Sequence, residues 1–239
     1  MSIASSPINT SHISIINIIS SSDIVAKTIM GFLFLLSIWS WSIIIDKFLQ
    51  YRVLTKKISL FEENFWSGYQ IDHLYEKVKR ANDNPLASVF MIAMNQVKAG
   101  ANFGSNLNMS QELKSGLKDR ILRSMYNAKN RESEKIEDGL VILSIIGSAS
   151  PFIGILGMVW SVMNNFHAIA SSKSVSLAVI APTMSEALFV TAVGIFVAIP
   201  ASMFYNILIT KADIIINKIE DFSTEVYTTI SRSIDEGKI

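Results

Sequence analysis

One acidic residue stands inside the long uncharged stretches of this 239-residue sequence, and its side chain is the one best placed to do chemistry. From Gly139 to Thr210 the chain carries only two charges, Lys173 and Glu186. A charged side chain at the bilayer centre costs roughly 2.5–3.5 kcal/mol on insertion scales, and such residues usually face a bundle interior or a water path. We therefore predict that Glu186 carries protons. The alternative is a glutamate in a loop or at the membrane interface, because Pro182 stands just four residues earlier.

Small and hydroxyl side chains recur at helical spacing around this carboxylate. They are Ser150, Gly154, Gly157 and Ser161, and then Thr183, Ala187, Thr191, Gly194, Ala198 and Ala201. Packing within one chain explains each stripe alone, but two such faces on neighbouring helices favour contacts between copies of the chain. The hydroxyls of Ser150, Ser161 and Thr191 are also suited to lining a polar lumen. Thr191 lies about 140° from Glu186 around a straight helix, so a shared path needs a wide lumen or neighbouring subunits.

The residues that other reactions require are missing or scattered. The sequence has no cysteine, which excludes disulfides, thiol catalysis and cysteine-ligated metals. It has no phosphate-binding GxxxxGK[ST] loop and no HExxH pair, and its three histidines lie in different regions. The net charge of +1 does not indicate a nucleic-acid partner. We therefore predict no enzyme, no cofactor and no metal site.

Three apolar stretches are long enough to place these residues in a membrane. The chain is 50% hydrophobic and 17% charged, and 15 of its 21 Lys and Arg fall between Asp46 and Asp138. About 20 apolar residues cross a bilayer. The prediction is an all-α integral membrane protein with three transmembrane helices, two of them extended into a cytoplasmic helical bundle. Long soluble core helices are the alternative, but a chain of this length lacks a polar layer to cover them.

The distribution of Lys and Arg predicts the orientation. Basic residues follow the first and third stretches and precede the second, whereas the N-terminus has none before Lys27. The absence of a basic segment before Lys27 also argues against a cleaved signal peptide. The predicted parts are an N-terminal periplasmic segment (1–23), transmembrane helix 1 (24–45), a cytoplasmic helical domain (46–138), transmembrane helix 2 (139–163), a short periplasmic loop (164–178), transmembrane helix 3 (179–209) and a cytoplasmic C-terminal helix (210–239).

Local signals divide the cytoplasmic part into helices. Asn84 and Pro85 indicate a helix start, residues 99–108 a loop, and Ser110 the cap of a following helix. We expect that helix to continue unbroken into transmembrane helix 2, because no proline lies between Ser110 and Pro151. Its apolar stripe is Leu113, Leu117, Ile121 and Met125, and a second stripe after transmembrane helix 3 is Ile215, Ile219, Phe222, Val226 and Ile230.

Several motifs resemble a known family of membrane proteins. They are SPFIGILGMVW (150–160), APTMSEAL (181–188), TAVGI (191–195) and AIPA (198–201), with WSIII (41–45) and FEENFWSG (61–68) closer to its Tol branch. Together they resemble the MotA/TolQ/ExbB proton channel family over about residues 24–230.

The resemblance implies a subunit of the bacterial inner membrane that assembles into a homo-oligomeric pore, a pentamer. The pore surrounds the transmembrane helices of a TolR-like single-span partner with its own intramembrane Asp. In that family proton flow drives rotation of one component relative to the other, and the motion is passed on through a TolA-like protein, which supports outer-membrane integrity and envelope constriction in cell division. An ExbB-like subunit energising TonB-dependent uptake and a non-conducting membrane scaffold remain alternatives. A secondary transporter is the least favoured class, because three spans lack the inverted repeat that such proteins usually show.

The resemblance also assigns roles by position. Glu186 matches the family's glutamate in the third span and Thr191 its pore-lining threonine. Met158 stands where the family has a second pore threonine, which leads to the hypothesis that Ser161 supplies that hydroxyl instead. The residues expected on the proton path are Glu186, Thr191, Ser150, Ser161 and Met158, and those expected in helix packing or oligomer contacts are Gly154, Gly157, Ala187, Gly194, Ala198 and Pro200.

Overall fold

The computed structural model describes residues 23–66, 84–103, 111–172 and 177–236, and these residues are almost entirely helical. The helices are α1 (Ile24–Trp66), α2 (Pro85–Phe103), α3 (Gln111–Glu137), α4 (Leu140–Ser172) and α5 (Leu177–Asp235). No strand occurs in these ranges. Three of the helices, α1, α4 and α5, are long and apolar enough to cross a membrane. The predicted fold class, all-α with three transmembrane helices, is confirmed.

The chain forms two compact units, which we call the apolar unit and the polar unit. The apolar unit comprises the chain up to Ile43 together with Ile142–Tyr205, and the polar unit comprises Ile44–Val141 together with Asn206–Ile239. Helices α1 and α5 each contribute to both units. The predicted continuation of the third apolar helix is confirmed, because α5 runs through 59 residues without a break.

Small residues bring α4 and α5 close together in the apolar unit. A methyl group at Gly194 would lie 2.7 Å from the Ser150 carbonyl oxygen and 2.9 Å from the Gly154 Cα. A methyl group at Gly157 would meet Val190 of α5 and Ile29 of α1. Backbones approach this closely only where no side chain intervenes, which is the packing expected of helices in lipid. The three apolar helices therefore contact one another through glycines.

The polar unit confirms the predicted start of α2. The Asn84 side-chain oxygen accepts a hydrogen bond from the Leu86 backbone N–H at 3.0 Å, and Pro85 occupies the first helical position. The predicted loop over residues 99–108 is wrong for its first part, since α2 continues to Phe103, and residues 104–108 lie outside the described residues. Gly100 is helical because it packs directly against Leu117 of α3. The predicted cap, Ser110, also lies outside the described residues.

The prediction that α3 continues unbroken into α4 is wrong. The helix stops at Glu137, and Gly139 takes a left-handed conformation with φ 78°. Glycine adopts this conformation without steric penalty, so it ends a helix as effectively as proline. Lys47 and Tyr51 of α1 then complete the helix end. The Tyr51 hydroxyl donates to the Ile136 carbonyl at 2.7 Å, and the Lys47 ammonium donates to the same oxygen at 3.3 Å.

The apolar stripes form the core of the polar unit. All five residues of the α5 stripe are buried, as are Leu117, Ile121 and Met125 of the α3 stripe. Leu113 is 61% exposed, so the predicted α3 stripe begins one turn too early. Phe222 packs edge-to-face against Phe61 and Phe65 of α1 at 5.7 and 5.0 Å between ring centroids. These ring contacts join α1 to α5, and the ion pairs Lys118–Asp235 and Lys129–Glu220 join α3 to α5.

Candidate functional site

The carboxylate of Glu186 is buried where the helices of the apolar unit meet. Only 6% of the residue is exposed, and its Oε1 atom accepts a hydrogen bond from the Asp23 backbone N–H at 3.3 Å. Asp23 immediately precedes α1, whose first backbone N–H groups have no partner within the helix. The contact therefore places the carboxylate level with the beginning of the first apolar helix rather than its middle. Helix dipoles favour negative charge at such a helix start.

Asp23 is a second carboxylate at this site, and it links the start of α1 to α4. Its Oδ2 atom accepts hydrogen bonds from the Trp160 indole N–H at 3.0 Å and from the Asn164 amide at 2.9 Å. Trp160 and Asn164 stand four residues apart and so share one face of α4. Three helices thus contribute to one polar cluster, which we call the Asp23 cluster: Asp23, Trp160, Asn164 and Glu186.

Apart from Glu186, the residues of the Asp23 cluster are not predicted from the sequence. Asp23 falls in the predicted N-terminal segment, and Trp160 falls in one of the motifs. One signal was available, because an aspartate directly before an apolar helix is a typical N-cap residue. The partners of Asp23 lie 137 and 141 residues away along the chain, so no local pattern could reveal them.

Two polar residues of α4 directly follow Trp160 and Asn164 in the sequence, and their side chains are buried. Ser161 is 6% exposed and Asn165 is 9% exposed. Within the described ranges, the Ser161 hydroxyl and the Asn165 amide nitrogen have no hydrogen-bond partner. A buried polar group left unpaired costs about 1–3 kcal/mol, and such groups are commonly satisfied by internal water. Ser161 therefore points into the interior of the subunit, where its hydroxyl has room for a further partner.

The other hydroxyl groups predicted on the proton path form hydrogen bonds with residues outside the Asp23 cluster. Thr191 faces α4, where its hydroxyl donates to the Ala187 carbonyl at 3.2 Å and approaches the Gly154 carbonyl at 3.5 Å. Ser150 is fully buried, and its hydroxyl donates to the Ile146 carbonyl at 2.6 Å. Met158 is half-buried. The structure does not bring Thr191 and Glu186 to a common partner.

The residues predicted for packing lie mostly inside the subunit. Gly154 and Gly194 meet at the contact between α4 and α5, and Ala187 and Ala198 are buried. Pro200 is half-buried inside α5. Packing within one chain thus accounts for the small-residue faces. Large apolar side chains remain exposed on the outer faces of these helices, for example Phe152, Leu188 and Phe196.

Fold and site together define a class of protein. A three-span helical bundle with a buried, hydrogen-bonded carboxylate suits charge transfer in a membrane, and no group of His, Asp and Glu able to hold a metal occurs among the described residues. The chain belongs to the MotA/TolQ/ExbB proton channel family, whose model matches residues 82–221.

Curated relatives agree with this assignment over almost the whole chain. The Tol-Pal system protein TolQ of Pseudomonas aeruginosa is 33% identical, covering 93% of this chain and 95% of the relative. TolQ of Haemophilus influenzae is 32% identical, with 93% and 96% covered. The biopolymer transport protein ExbB of Salmonella typhimurium is 28% identical, with 89% and 84% covered. The chain is therefore an energy-transducing membrane protein similar to TolQ and not an enzyme, and the findings support a multi-pass protein of the inner membrane.

Proposed function

We propose that this chain is the proton-conducting subunit of a Tol-Pal system, and that Glu186 is the group that takes up and releases protons. The observation that carries the proposal is the burial of Glu186 at the meeting point of three helices. Support for the Tol-Pal assignment comes from the two TolQ relatives, which align over nearly their full length.

The geometry of the Asp23 cluster suggests how the carboxylate works. Glu186 accepts a hydrogen bond from the Asp23 N–H. A carboxyl group that takes up a proton gains an O–H donor and keeps acceptor capacity, but it accepts more weakly than a carboxylate, so the bond between α5 and the start of α1 weakens with each proton. A proton arriving at Glu186 thereby alters the contact between two helices. This is the link between ion movement and helix movement that an energy transducer needs.

The subunit acts in an oligomer in this proposal. Glu186 and Asp23 belong to one cluster at the start of α1 and cannot form a complete path across a bilayer, so copies of the chain surround the transmembrane helices of a TolR-like partner that supplies an Asp. We propose a pentamer that passes motion to a TolA-like protein during envelope constriction and maintenance of the outer membrane. Ser150, Met158, Ser161 and Thr191 are proposed to contribute to the path, and Ser161 does so through its unsatisfied hydroxyl.

The orientation proposed here follows the positive-inside rule. The segment before α1 and the 164–178 connection are periplasmic, whereas residues 46–138 and 210–239 are cytoplasmic. The spans are proposed at 24–45, 139–163 and 179–209. The break in the helix at Gly139 coincides with the proposed start of the second span, where the chain passes from the cytoplasm into the membrane.

The decisive variant is Glu186→Gln, which keeps the size of the side chain and removes its titration. We expect proton flux into proteoliposomes containing the subunit–partner complex to fall to the level of empty vesicles, while the oligomer assembles normally. The matched control is Glu220→Gln, which alters an exposed acid in the polar unit that pairs with Lys129. Full flux in Glu186→Gln would overturn the proposal and favour a non-conducting scaffold.

An ExbB-like role is the second candidate, favoured by the match to ExbB of Salmonella typhimurium. The two roles share the same site and differ in the partner. Co-purification should therefore recover a single-span protein in either case. Complementation separates the two roles: the complex restores either outer-membrane integrity in a strain lacking TolQ or uptake in a strain lacking ExbB. Rescue of uptake alone would reassign the chain to the second role.

A further inference from the structure

A groove between α1 and α5 lies in the polar unit just past the ends of the apolar stretches. Its volume is about 610 Å³, and its walls include Phe48, Arg52 and Lys56 of α1 and Lys211 and Ile214 of α5. The α1 residues are spaced by four, so they form one face of that helix. The groove is unrelated to the Asp23 cluster, and the proposed function makes no use of it.

Two cations of the groove are held over one aromatic ring. The Arg52 guanidinium lies 4.4 Å from the Phe48 ring centroid, and the Lys211 ammonium lies 4.5 Å from the same centroid. Distances below about 6 Å are typical of cation–π contacts. The ring thus holds two positive groups together, one from each helix, even though like charges repel.

These cations have no acidic partner in the described part of the chain. Neither Arg52, Lys56 nor Lys211 forms a salt bridge with any described residue. The residues that line the groove include these three cations and no carboxylate. The lining therefore carries an excess of positive charge.

The position of the groove along the helices matches the headgroup layer of a bilayer. Phe48 and Arg52 are three and seven residues beyond Ile45, which at 1.5 Å per residue is about 4.5 and 10 Å. Lys211 stands two residues, about 3 Å, beyond Ile209. The headgroup region of each leaflet extends roughly 5–8 Å from the hydrocarbon edge, so Phe48 and Lys211 fall within it. The Arg52 backbone lies just beyond this layer, and its long side chain, which points back toward the start of α1, reaches into it.

We propose that this groove binds the headgroup phosphate of an anionic phospholipid. The charge excess complements the phosphate, Arg52 offers the fork of N–H donors that phosphate oxygens fit, and Ile214 with the Phe48 ring edge offers apolar contact to the first carbons of the acyl chains. The lipid bridges α1 and α5 at the cytoplasmic end proposed for these helices, where anionic lipids attract basic residues.

The test measures lipid retention by native mass spectrometry on the full-length complex. The complex is equilibrated with phosphatidylglycerol and phosphatidylcholine in equal amounts. We expect the wild-type protein to retain phosphatidylglycerol preferentially, and Arg52→Gln with Lys211→Gln to lower that preference roughly tenfold. Arg120→Gln with Lys218→Gln removes the same two charges outside the groove and should leave the preference unchanged.

Further arms separate the sources of the anion. Excess inorganic phosphate should not displace the lipid; equal competition would show a simple anion site and overturn the proposal. Arg52→Lys keeps the charge and should retain most of the preference, which guards against a folding defect in the double variant. Unchanged lipid retention in the double variant would overturn the lipid assignment. So would a double variant that keeps the lipid and loses the protein partner, because that result would indicate that an acidic segment of the partner occupies the groove.

Discussion

At the scale of single residues, the site consists of two carboxylates with different surroundings. Glu186 is buried and accepts a hydrogen bond from a backbone N–H, whereas Asp23 lies at the surface and accepts bonds from two side chains of α4. Glu186 is thus positioned by Asp23, and Asp23 is positioned by α4. The Asp23 carboxylate therefore acts on Glu186 indirectly, because it holds in place the backbone N–H group that donates to Glu186.

We therefore expect Asp23→Ala to reduce proton flux without abolishing it. The alanine cannot accept the hydrogen bonds of Trp160 and Asn164, so the start of α1 loses its attachment to α4 and Glu186 loses a fixed donor. Flux in proteoliposomes should fall between those of the wild-type protein and Glu186→Gln. Asp23→Asn keeps one acceptor oxygen and should recover part of the loss.

Asp221→Ala serves as the control for this experiment, because Asp221 is an exposed aspartate in the polar half of α5. Its flux should equal that of the wild-type protein. If Asp23→Ala also shows wild-type flux, the hydrogen bonds of Asp23 have no part in positioning Glu186.

At the scale of helices, the contact between α4 and α5 depends on glycine. Gly194→Ala would place a methyl group 2.7 Å from the Ser150 carbonyl oxygen, so the helices must separate. Overpacking of this kind typically costs about 1–3 kcal/mol. We expect a loss of stability of that size in SDS-induced unfolding. Gly31→Ala is the matched control, because a methyl group there meets no atom within 4 Å, and its stability should not decrease.

The junction between α3 and α4 gives a second prediction at this scale. Tyr51→Phe removes the hydroxyl that caps Ile136 and leaves a buried carbonyl without that donor, which should lower stability by about 1–3 kcal/mol at neutral pH. Burial raises the pKa of Tyr51 to about 12, with smaller effects from Glu137 and Asp213. A raised pKa contributes stability below the unfolded value near 10 and loses it as the pH rises through 12.

The stability of the wild-type protein and of Tyr51→Phe should therefore converge between pH 10 and 12, as measured by urea unfolding of the detergent-solubilised protein. A constant difference across that range would show that the phenol does not titrate with folding. Lys47 contributes a second donor to Ile136, so the variant should remain folded at neutral pH.

The helices show which features sequence reasoning recovers and which it does not. Apolar length predicts the three long helices, and the Asn84–Pro85 pair predicts the start of α2, because both signals are local. The absence of proline does not predict the break at Gly139, because a glycine with positive φ also ends a helix. The helical continuation through Gly100 depends on Leu117, and the Asp23 cluster depends on residues far along the chain. Tertiary contacts of this kind leave no periodic pattern in the sequence.

At the scale of the whole molecule, the distribution of apolar side chains argues for a subunit whose outer surface lies in an apolar environment, as the proposed oligomer in a membrane requires. Large apolar residues remain exposed on all three apolar helices, including Phe34, Phe152 and Phe196. A monomeric soluble protein rarely exposes apolar patches of this extent. The mass of the purified complex, measured by native mass spectrometry, should correspond to five copies of the chain together with its single-span partner.

The absence of cysteine makes the proposed orientation directly measurable, because every introduced cysteine is unique in the chain. Three spans place the two ends of the described chain on opposite sides of the membrane. Ile24 is 79% exposed at the start of α1. The Ile24→Cys variant should therefore react with a membrane-impermeant maleimide in cells whose outer membrane has been permeabilised. Arg120→Cys and Arg232→Cys, both at exposed positions, should react only after the inner membrane is opened. The opposite pattern would invert the orientation and place the basic groove of α1 and α5 against the periplasmic leaflet.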